Sequence, residues 1–149
     1  MSNLEKETPD VFISYSSKDK DIAFKLCNAL ENQGIICWIA PRNIGIGLYA
    51  NAIVEGIESS KVFILIFSQN SNDSIPVTNE VNLAMHSELP IIPIRIEEIL
   101  PTKAMKFYLK SMHWFDVLNP KSSDSFKSFI SMLKENLEIN SNNHYPKAS

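Results

Sequence analysis

Short apolar runs alternate with amphipathic stretches along most of this chain. A short apolar run between polar turns predicts a buried strand, whereas apolar residues three and four apart predict one face of a helix. Strands are therefore predicted at 10–15, 35–39, 61–67, 91–96 and 111–115. Helices are predicted at 18–32, 49–59, 75–87 and 101–110, and over a closing amphipathic stretch with Phe126, Phe129, Ile130, Leu133 and Leu137.

This alternation predicts an α/β fold. Five strands separated by helices imply a flavodoxin-like, doubly wound parallel sheet of order 2-1-3-4-5, with right-handed crossovers and helices on both faces. The run 62–67 is apolar throughout, as expected for a central strand. Pro93 indicates an edge-side or bulged position in the fourth strand, because proline cannot donate a ladder hydrogen bond. The chain divides into a polar lead at 1–9, one domain at 10–138 and a frayed polar tail at 139–149.

Composition and charge narrow the class of protein. The chain has 149 residues, of which 44% are hydrophobic and 21% charged, enough for one domain with a proper core. The net charge is −3 and no basic stripe is present, so no nucleic-acid partner is predicted. No apolar run approaches the length of a membrane span and the polar N-terminus is no signal peptide, which predicts a cytoplasmic protein without a membrane partner.

The residues that commonly bind metals are few and scattered. Cys27 and Cys37 lie among apolar residues on a predicted helix and strand, and neither has a second Cys or His at a ligand spacing. They are expected to be small core residues. His86, His113 and His144 share no helix face, so no metal site is predicted.

A polar turn follows the first predicted strand. Tyr15, Ser16 and Ser17 lie where the chain enters a helix, at the sheet edge where ligands bind in open α/β folds. Hydroxyls and free amides at a helix start suit phosphate oxygens. The alternative is simple helix capping by Ser17. The residues leave both interpretations open, and Tyr15, Ser16 and Ser17 are candidate ligand contacts.

Glu80 is the candidate catalytic residue. With about 100° of turn per helical residue, Val77, Val81, Ala84 and Met85 face the sheet and Glu80 falls at the margin of that face. A carboxyl group there loses water, which raises its pKa unless a donor offsets the effect. The alternative is an acid whose stem packs while its head reaches solvent, and the residues alone favour that alternative.

The loop after the second predicted strand holds further candidates. Gly45 and Gly47 allow it to flex and to approach a ligand closely. Arg42 is a candidate partner of a phosphate or of an acid on a neighbouring subunit, the alternative being a solvated loop arginine. Tyr49 opens the next helix, and its alternative role is packing on the core.

Taken in order, the motifs along the chain resemble those of Toll/interleukin-1 receptor (TIR) domains. Each is weak alone, but the ordered set spans about residues 10 to 120. The matching stretches are 10–21 for the opening motif, 34–42 for the second strand and loop of bacterial members, 61–68 and 90–94 for the next strands, and 113–116 for the late aromatic motif. The resemblance implies the same flavodoxin-like fold.

The resemblance also implies roles for the candidate residues. TIR domains that cleave NAD+ carry a glutamate matched by Glu80, which is implied to contact the nicotinamide ribose and stabilise an oxocarbenium-like state. Tyr49 matches an aromatic residue that stacks on the nicotinamide side, and Gly45 belongs to a mobile loop that meets a neighbouring subunit. The turn at 15–17 matches one that lines the nucleotide pocket. Pro76 departs from the family, because many NAD-cleaving members have tryptophan there.

Two functions remain open on this resemblance. The first is a NAD+ glycohydrolase or cyclase of the bacterial stand-alone, antiphage type, with NAD+ as substrate and no cofactor. It would release nicotinamide and ADP-ribose or a cyclic ADP-ribose-like signal. Its partners would be other TIR subunits and a separate sensor or effector protein. The alternative is a non-catalytic module acting through TIR–TIR association, which the strand motifs do not distinguish from an enzyme.

Overall fold

The computed structural model describes residues 8–44, 49–112, 114–116 and 123–142. Its strands are β1 (Val11–Ser14), β2 (Cys37–Ile39), β3 (Val62–Phe67), β4 (Ile91–Arg95) and β5 (Phe115–Asp116). Its α-helices are α1 (Lys20–Glu31), α2 (Tyr49–Ser59), α3 (Gln69–Asn72), α4 (Ile75–His86), α5 (Lys103–Leu109) and α6 (Ser123–Asn142). In the described segments no helix is both long and apolar enough to cross a membrane.

The five strands form one parallel sheet in the order β2-β1-β3-β4-β5, which confirms the predicted fold class. Val11 pairs with Cys37 on one side and with Val62 on the other. Ser14, the last residue of β1, pairs with Leu65. Because all strands run in one direction, the turns that follow β1, β2 and β3 meet at the same edge of the sheet.

Two apolar layers cover the two faces of the sheet. Successive strand residues point to opposite faces, so Ile13 and Ile64 belong to one layer while Phe12 and Phe63 belong to the other. Helices α1 and α6 pack on the first face, and α2, α4 and α5 on the second. Every residue of β3 is buried, as the continuous apolar run predicted.

A stack of aromatic rings runs across β2, β1 and β3 on one face of the sheet. The Phe12 ring lies 4.7 Å from that of Trp38 and 5.4 Å from that of Phe63, with interplanar angles of 12° and 7°. A Cβ atom on Gly56 would come within 2.6 Å of the Trp38 ring. Glycine therefore lets α2 approach the edge strand, and Trp38 is buried in the core.

Several local predictions need correction. No helix was predicted between 67 and 75, but the polar segment after β3 forms α3, because Ser68 and Ser71 make a reciprocal capping box. Pro93 does not lie on an edge strand, since β4 runs between β3 and β5. It is tolerated because, within the described segments, β5 pairs only with Ile94 and Arg95 and does not reach Pro93.

The end of the domain also differs from the prediction. The last strand is Phe115–Asp116 rather than 111–115. Helix α6 continues to Asn142, into the stretch expected to be a frayed tail from 139. Polar composition near a chain end therefore did not end the helix. His113 lies outside the described residues.

Candidate active site

A cleft opens at the carboxyl edge of the sheet, beside β1 and β2. Its volume is about 330 Å³, near the lower end of the range found for small-molecule sites. It lies where the turn after β1, the loop after β2 and the start of α4 come together. The residues that give it chemical character are Tyr15, Ser17, Trp38, Tyr49, Pro76 and Glu80.

Helix α4 fixes the position of Glu80. Ser74 caps this helix by accepting a hydrogen bond from the backbone N–H of Val77, and Pro76 is accommodated in the first turn. Val77 and Val81 are buried against the sheet. Glu80 therefore emerges at the border of the packed face, as the helical periodicity predicted, and it lines the cleft.

The Glu80 carboxyl group is largely removed from water. Burial raises its pKa from the ordinary value of 4.5 to about 7, and a hydrogen bond from Ser14 acts in the opposite direction. Ser14 Oγ donates this bond to Glu80 Oε1 over 2.7 Å. Near neutral pH the group is thus divided between its ionised and protonated forms.

Ser14 was missed as a site residue by the sequence reasoning. It closes β1 and is 1% exposed, so its hydroxyl group would be a costly buried polar group without a partner. The only signal was a serine at the end of an otherwise apolar strand. Its partner on α4 is 66 positions away in sequence, and only the fold brings the two together.

Tyr15 anchors the turn after β1 to the loop after β2. The Tyr15 hydroxyl group donates to the carbonyl oxygen of Ala40, which ties the turn to the loop after β2. The pKa of Tyr15 is raised first by burial and then by the electrostatic effects of Tyr49 and Glu80. These three side chains therefore share one environment.

Ser16 has the capping role that was considered for Ser17. Ser16 is buried and its Oγ accepts from the backbone N–H of Lys18, so Ser16, not Ser17, caps the 3-10 turn Ser17–Asp19 that precedes α1. Ser17 is exposed and borders the cleft. Both belong to the cleft lining, but Ser17 has the freer hydroxyl group.

Asp19 ties this turn to helix α3. It is 8% exposed and accepts hydrogen bonds from Ser68 Oγ and, at 3.0 Å, from Asn70 Nδ2. Ser68 caps α3 and Asn70 lies within it. The buried Asp19 carboxylate therefore joins the turn after β1 to α3.

Aromatic side chains line the cleft, although Pro76 stands where the resembled family often has tryptophan. Tyr49, the first residue of α2, is 61% exposed and lines the cleft, so it does not pack into the core. Pro76 is also exposed and lines the cleft. Tyr15 and Trp38 add ring surface, which supplies aromatic contact that Pro76 cannot give.

Arg42 is not among the described residues that line the cleft, and its expected contact with substrate stays a prediction. Its guanidinium group donates to both carboxylate oxygens of Glu31, at 3.0 and 2.7 Å, and to the carbonyl oxygen of Cys37 at 2.8 Å. These bonds hold it along the open edge of β2, on the far side of that strand. Gly45, the remaining candidate contact, lies outside the described residues.

One cluster has the composition of a metal site. The ligand atoms of Cys27, Glu31 and Cys37 lie within 4.8 Å of one another, although their sequence spacing gave no sign of this. A hydrogen bond between the thiols lowers the pKa of Cys27 and raises that of Cys37. The guanidinium group of Arg42 forms a bidentate ion pair with Glu31 and neutralises it. The position beside this carboxylate is therefore already filled by a positively charged side chain.

Comparison with known proteins bears on the family and the fold. A family model described as TIR domain matches residues 11–131. Among solved structures, the chain is similar to the TIR domain of the Toll-related receptor TRR-2 from Hydra magnipapillata, with 19% identity, a TM-score of 0.73, and coverage of 85% of this chain and 99% of that one. At this identity the likeness shows the fold. No curated protein matches the chain significantly.

Two further solved structures share the fold at lower similarity. The TIR domains of the activated Roq1 resistosome, which recognises the pathogen effector XopQ, are 18% identical with a TM-score of 0.56, covering 93% of this chain and 91% of that one. The CMP N-glycosidase BcmB of Clostridium botulinum is 16% identical with a TM-score of 0.56, covering 84% and 98%.

Proposed function

The chain belongs to the TIR domain family, and we propose that it cleaves the bond between nicotinamide and ribose in NAD+. The observation that carries the proposal is a desolvated carboxyl group, Glu80, held by Ser14 inside a cleft at the ligand edge of the sheet. The products are nicotinamide and ADP-ribose or a cyclic ADP-ribose-like signal. A cytoplasmic role in antiphage immunity, with a separate sensor or effector protein, belongs to the same proposal.

The chemistry needs few catalytic groups. The nicotinamide nitrogen is cationic in NAD+, so the ring departs as a neutral molecule without a general acid. Positive charge then develops on the ribose, and the ionised Glu80 carboxylate stabilises it in a site where little water screens the interaction. About half of the Glu80 groups are ionised near pH 7, which gives the enzyme its active form at neutral pH.

The cleft suits the nicotinamide ribose end of the substrate. Tyr15 and Tyr49 offer ring surface for the nicotinamide, and the Ser17 hydroxyl group lies where the rest of the dinucleotide leaves the cleft. A volume of about 330 Å³ favours one half of a dinucleotide over the whole molecule. The adenosine diphosphate portion therefore extends outward from the cleft.

Fold-level analogy adds modest support. BcmB is named as a CMP N-glycosidase, which is an enzyme for the N-glycosidic bond of a nucleotide. A shared fold does not transfer an activity, but it shows that this architecture accommodates chemistry of that class. The argument for NAD+ as the substrate rests on the TIR family and on Glu80.

The direct test is release of nicotinamide from NAD+ by the purified protein. Glu80→Gln keeps the size and an acceptor for Ser14 but cannot carry negative charge, and it should lower the rate by about 100-fold or more. Glu58→Gln changes an exposed acid on α2 and serves as the matched control. A wild-type rate in Glu80→Gln, or no turnover by the wild type at any concentration, contradicts the proposal.

A second candidate function is association with other TIR domains. Three large apolar side chains are strongly exposed, namely Ile75 (74%), Leu100 (82%) and Phe107 (79%). Asn72 bonds the backbone at Leu100 and Thr102, which brings the segment before α5 close to the start of α4. Sedimentation across a concentration range tests this candidate, and Phe107→Ser should weaken any self-association. A monomer at every concentration refutes it for the isolated chain.

A further inference from the structure

We propose that Ser14 is a positioning residue for Glu80, whose hydroxyl group holds the carboxyl group in one orientation in the cleft and favours its ionised form. The inference rests on the proposed function for its kinetic consequences. Its structural part concerns Glu80 alone and is measurable without any substrate.

Ser14 has the geometry of a rigid donor. It is paired through β1 with Leu65 of β3, and β1 itself lies between β2 and β3 in the sheet. The side chain is 1% exposed, so no bulk water competes for its hydroxyl group. Over 2.7 Å that group donates to Glu80 Oε1, a length typical of a strong O–H···O bond.

The bond discriminates between the two forms of the carboxyl group. A hydroxyl donor stabilises a carboxylate more than a neutral acid, because the bond to an ionised acceptor is roughly twice as strong. Burial acts in the opposite direction and dominates the pKa of Glu80. Ser14 therefore limits how far burial protonates Glu80, and without it a smaller share of the protein carries the charge that the proposed reaction needs.

The other ionisable groups near Glu80 cannot replace this effect. Helix α4 packs against α2, α3, α5, β1 and β4. From these elements and the turn after β1, the titratable groups that face the cleft are Tyr15 and Tyr49. The other titratable groups of α2, α5 and β4 do not line the cleft; they are Glu55, Glu58, Lys103, Lys106, Tyr108 and Arg95. Burial raises the pKa of Tyr15 above its ordinary value of 10.0, so this side chain stays neutral near pH 7 and does not compete with Ser14 in setting the charge of Glu80.

The chain offers a close control for this serine. Ser60 is also buried, and its Oγ donates over the same distance of 2.7 Å, but to the carbonyl oxygen of Gly56 at the end of α2. Ser60→Ala thus removes a buried hydroxyl group and its bond without touching the cleft. Ser14→Thr keeps the hydroxyl group at the site and tests for rescue.

The experiment is a carbon-13 NMR titration of the Glu80 carboxyl group in the protein without substrate. Ser14→Ala should raise the titration midpoint by about one pH unit, because losing a charge-assisted bond of this kind changes the protonation equilibrium roughly tenfold. Ser60→Ala and Ser14→Thr should leave the midpoint near that of the wild type. An unmoved midpoint in Ser14→Ala, or an equal movement in Ser60→Ala, overturns the inference.

The pH profile of nicotinamide release provides the second readout. If the midpoint rises from about 7 to about 8, the ionised share at pH 7 falls about fivefold, and the acidic limb of the rate profile should move with the titration. A purely structural defect would lower the rate at all pH values without moving the limb, and would overturn the inference. Failure of the wild type to release nicotinamide refutes the proposed function, while the NMR titration still decides the role of Ser14.

Discussion

The stability of this protein should fall as pH rises through neutrality, and Glu80→Gln should remove that dependence. Burial raises the pKa of Glu80 from 4.5 to about 7, so the folded state holds this proton more tightly than the unfolded chain. Between these two values the folded state binds more protons, and stability declines as pH rises. The contribution is fully present below 4.5 and is lost above about 7.

The size of the effect follows from the two pKa values. Moving from 4.5 to about 7 is a change of about 2.5 pH units, and each unit corresponds to about 1.4 kcal/mol. The ionised carboxylate therefore destabilises the fold by up to about 3 kcal/mol above pH 8, relative to a site that stays neutral. Relaxation of the cleft and entry of water reduce this figure. Glutamine is neutral at every pH and avoids the penalty.

Urea unfolding at pH 4.5, 6, 7.5 and 8.5 measures the difference directly. The free energies of unfolding of wild type and Glu80→Gln should be close at the lowest pH, and the variant should become more stable by about 1–3 kcal/mol at the highest. Glu58→Gln, at an exposed position, should follow the wild type throughout. A constant offset between wild type and Glu80→Gln at all four pH values would refute the reasoning.

Three further predictions concern packing and the cleft. Gly56→Ala should destabilise the fold by about 1–3 kcal/mol in urea, because its Cβ would meet the Trp38 ring at 2.6 Å, whereas Asn51→Ala on the exposed side of α2 should not. Arg42→Ala should cost at most about 1 kcal/mol and leave the KM for NAD+ within about twofold, since its pair with Glu31 is partly exposed; a large rise in KM would place Arg42 in the site. Tyr49→Ala should raise the KM with stability changed by less than about 0.5 kcal/mol, because the ring is 61% exposed; initial rates and melting curves decide.

Periodicity predicted the fold well because it reports burial directly. The run Val62–Phe67 was assigned to a central strand, and the sheet buries every residue of it. The spacing of Val77, Val81 and Ala84 placed Glu80 at the border of α4's buried face, where the structure has it, although Met85, expected on the same face, is 37% exposed. Both inferences use only which side of an element is apolar, and this is written along the sequence itself.

Contacts between distant segments were not predictable in the same way. Ser14 and Glu80 form their hydrogen bond only because α4 packs against β1. No local pattern in either segment predicts that contact. Arg42 illustrates the same limit, because the expected partner of this loop arginine was a phosphate or an acid on a neighbouring subunit. The nearby acid, Glu31 on α1, takes up its guanidinium group instead. Charge in the sequence therefore predicted an ion pair but not its partner.

The environment of Glu80 reconciles two opposing requirements of the proposed reaction. A carboxylate in water would be fully ionised near pH 7, but solvent would screen its attraction for a developing ribosyl cation. A carboxyl group in a fully apolar cavity would be protonated and would carry no charge to offer. Burial of Glu80 at the border of α4's apolar face supplies the low dielectric. One buried hydroxyl donor, Ser14, favours the ionised form of the carboxyl group. The balance holds the pKa near the pH at which the protein would work, so either change, a wetter cleft or a lost donor, should lower activity for opposite electrostatic reasons.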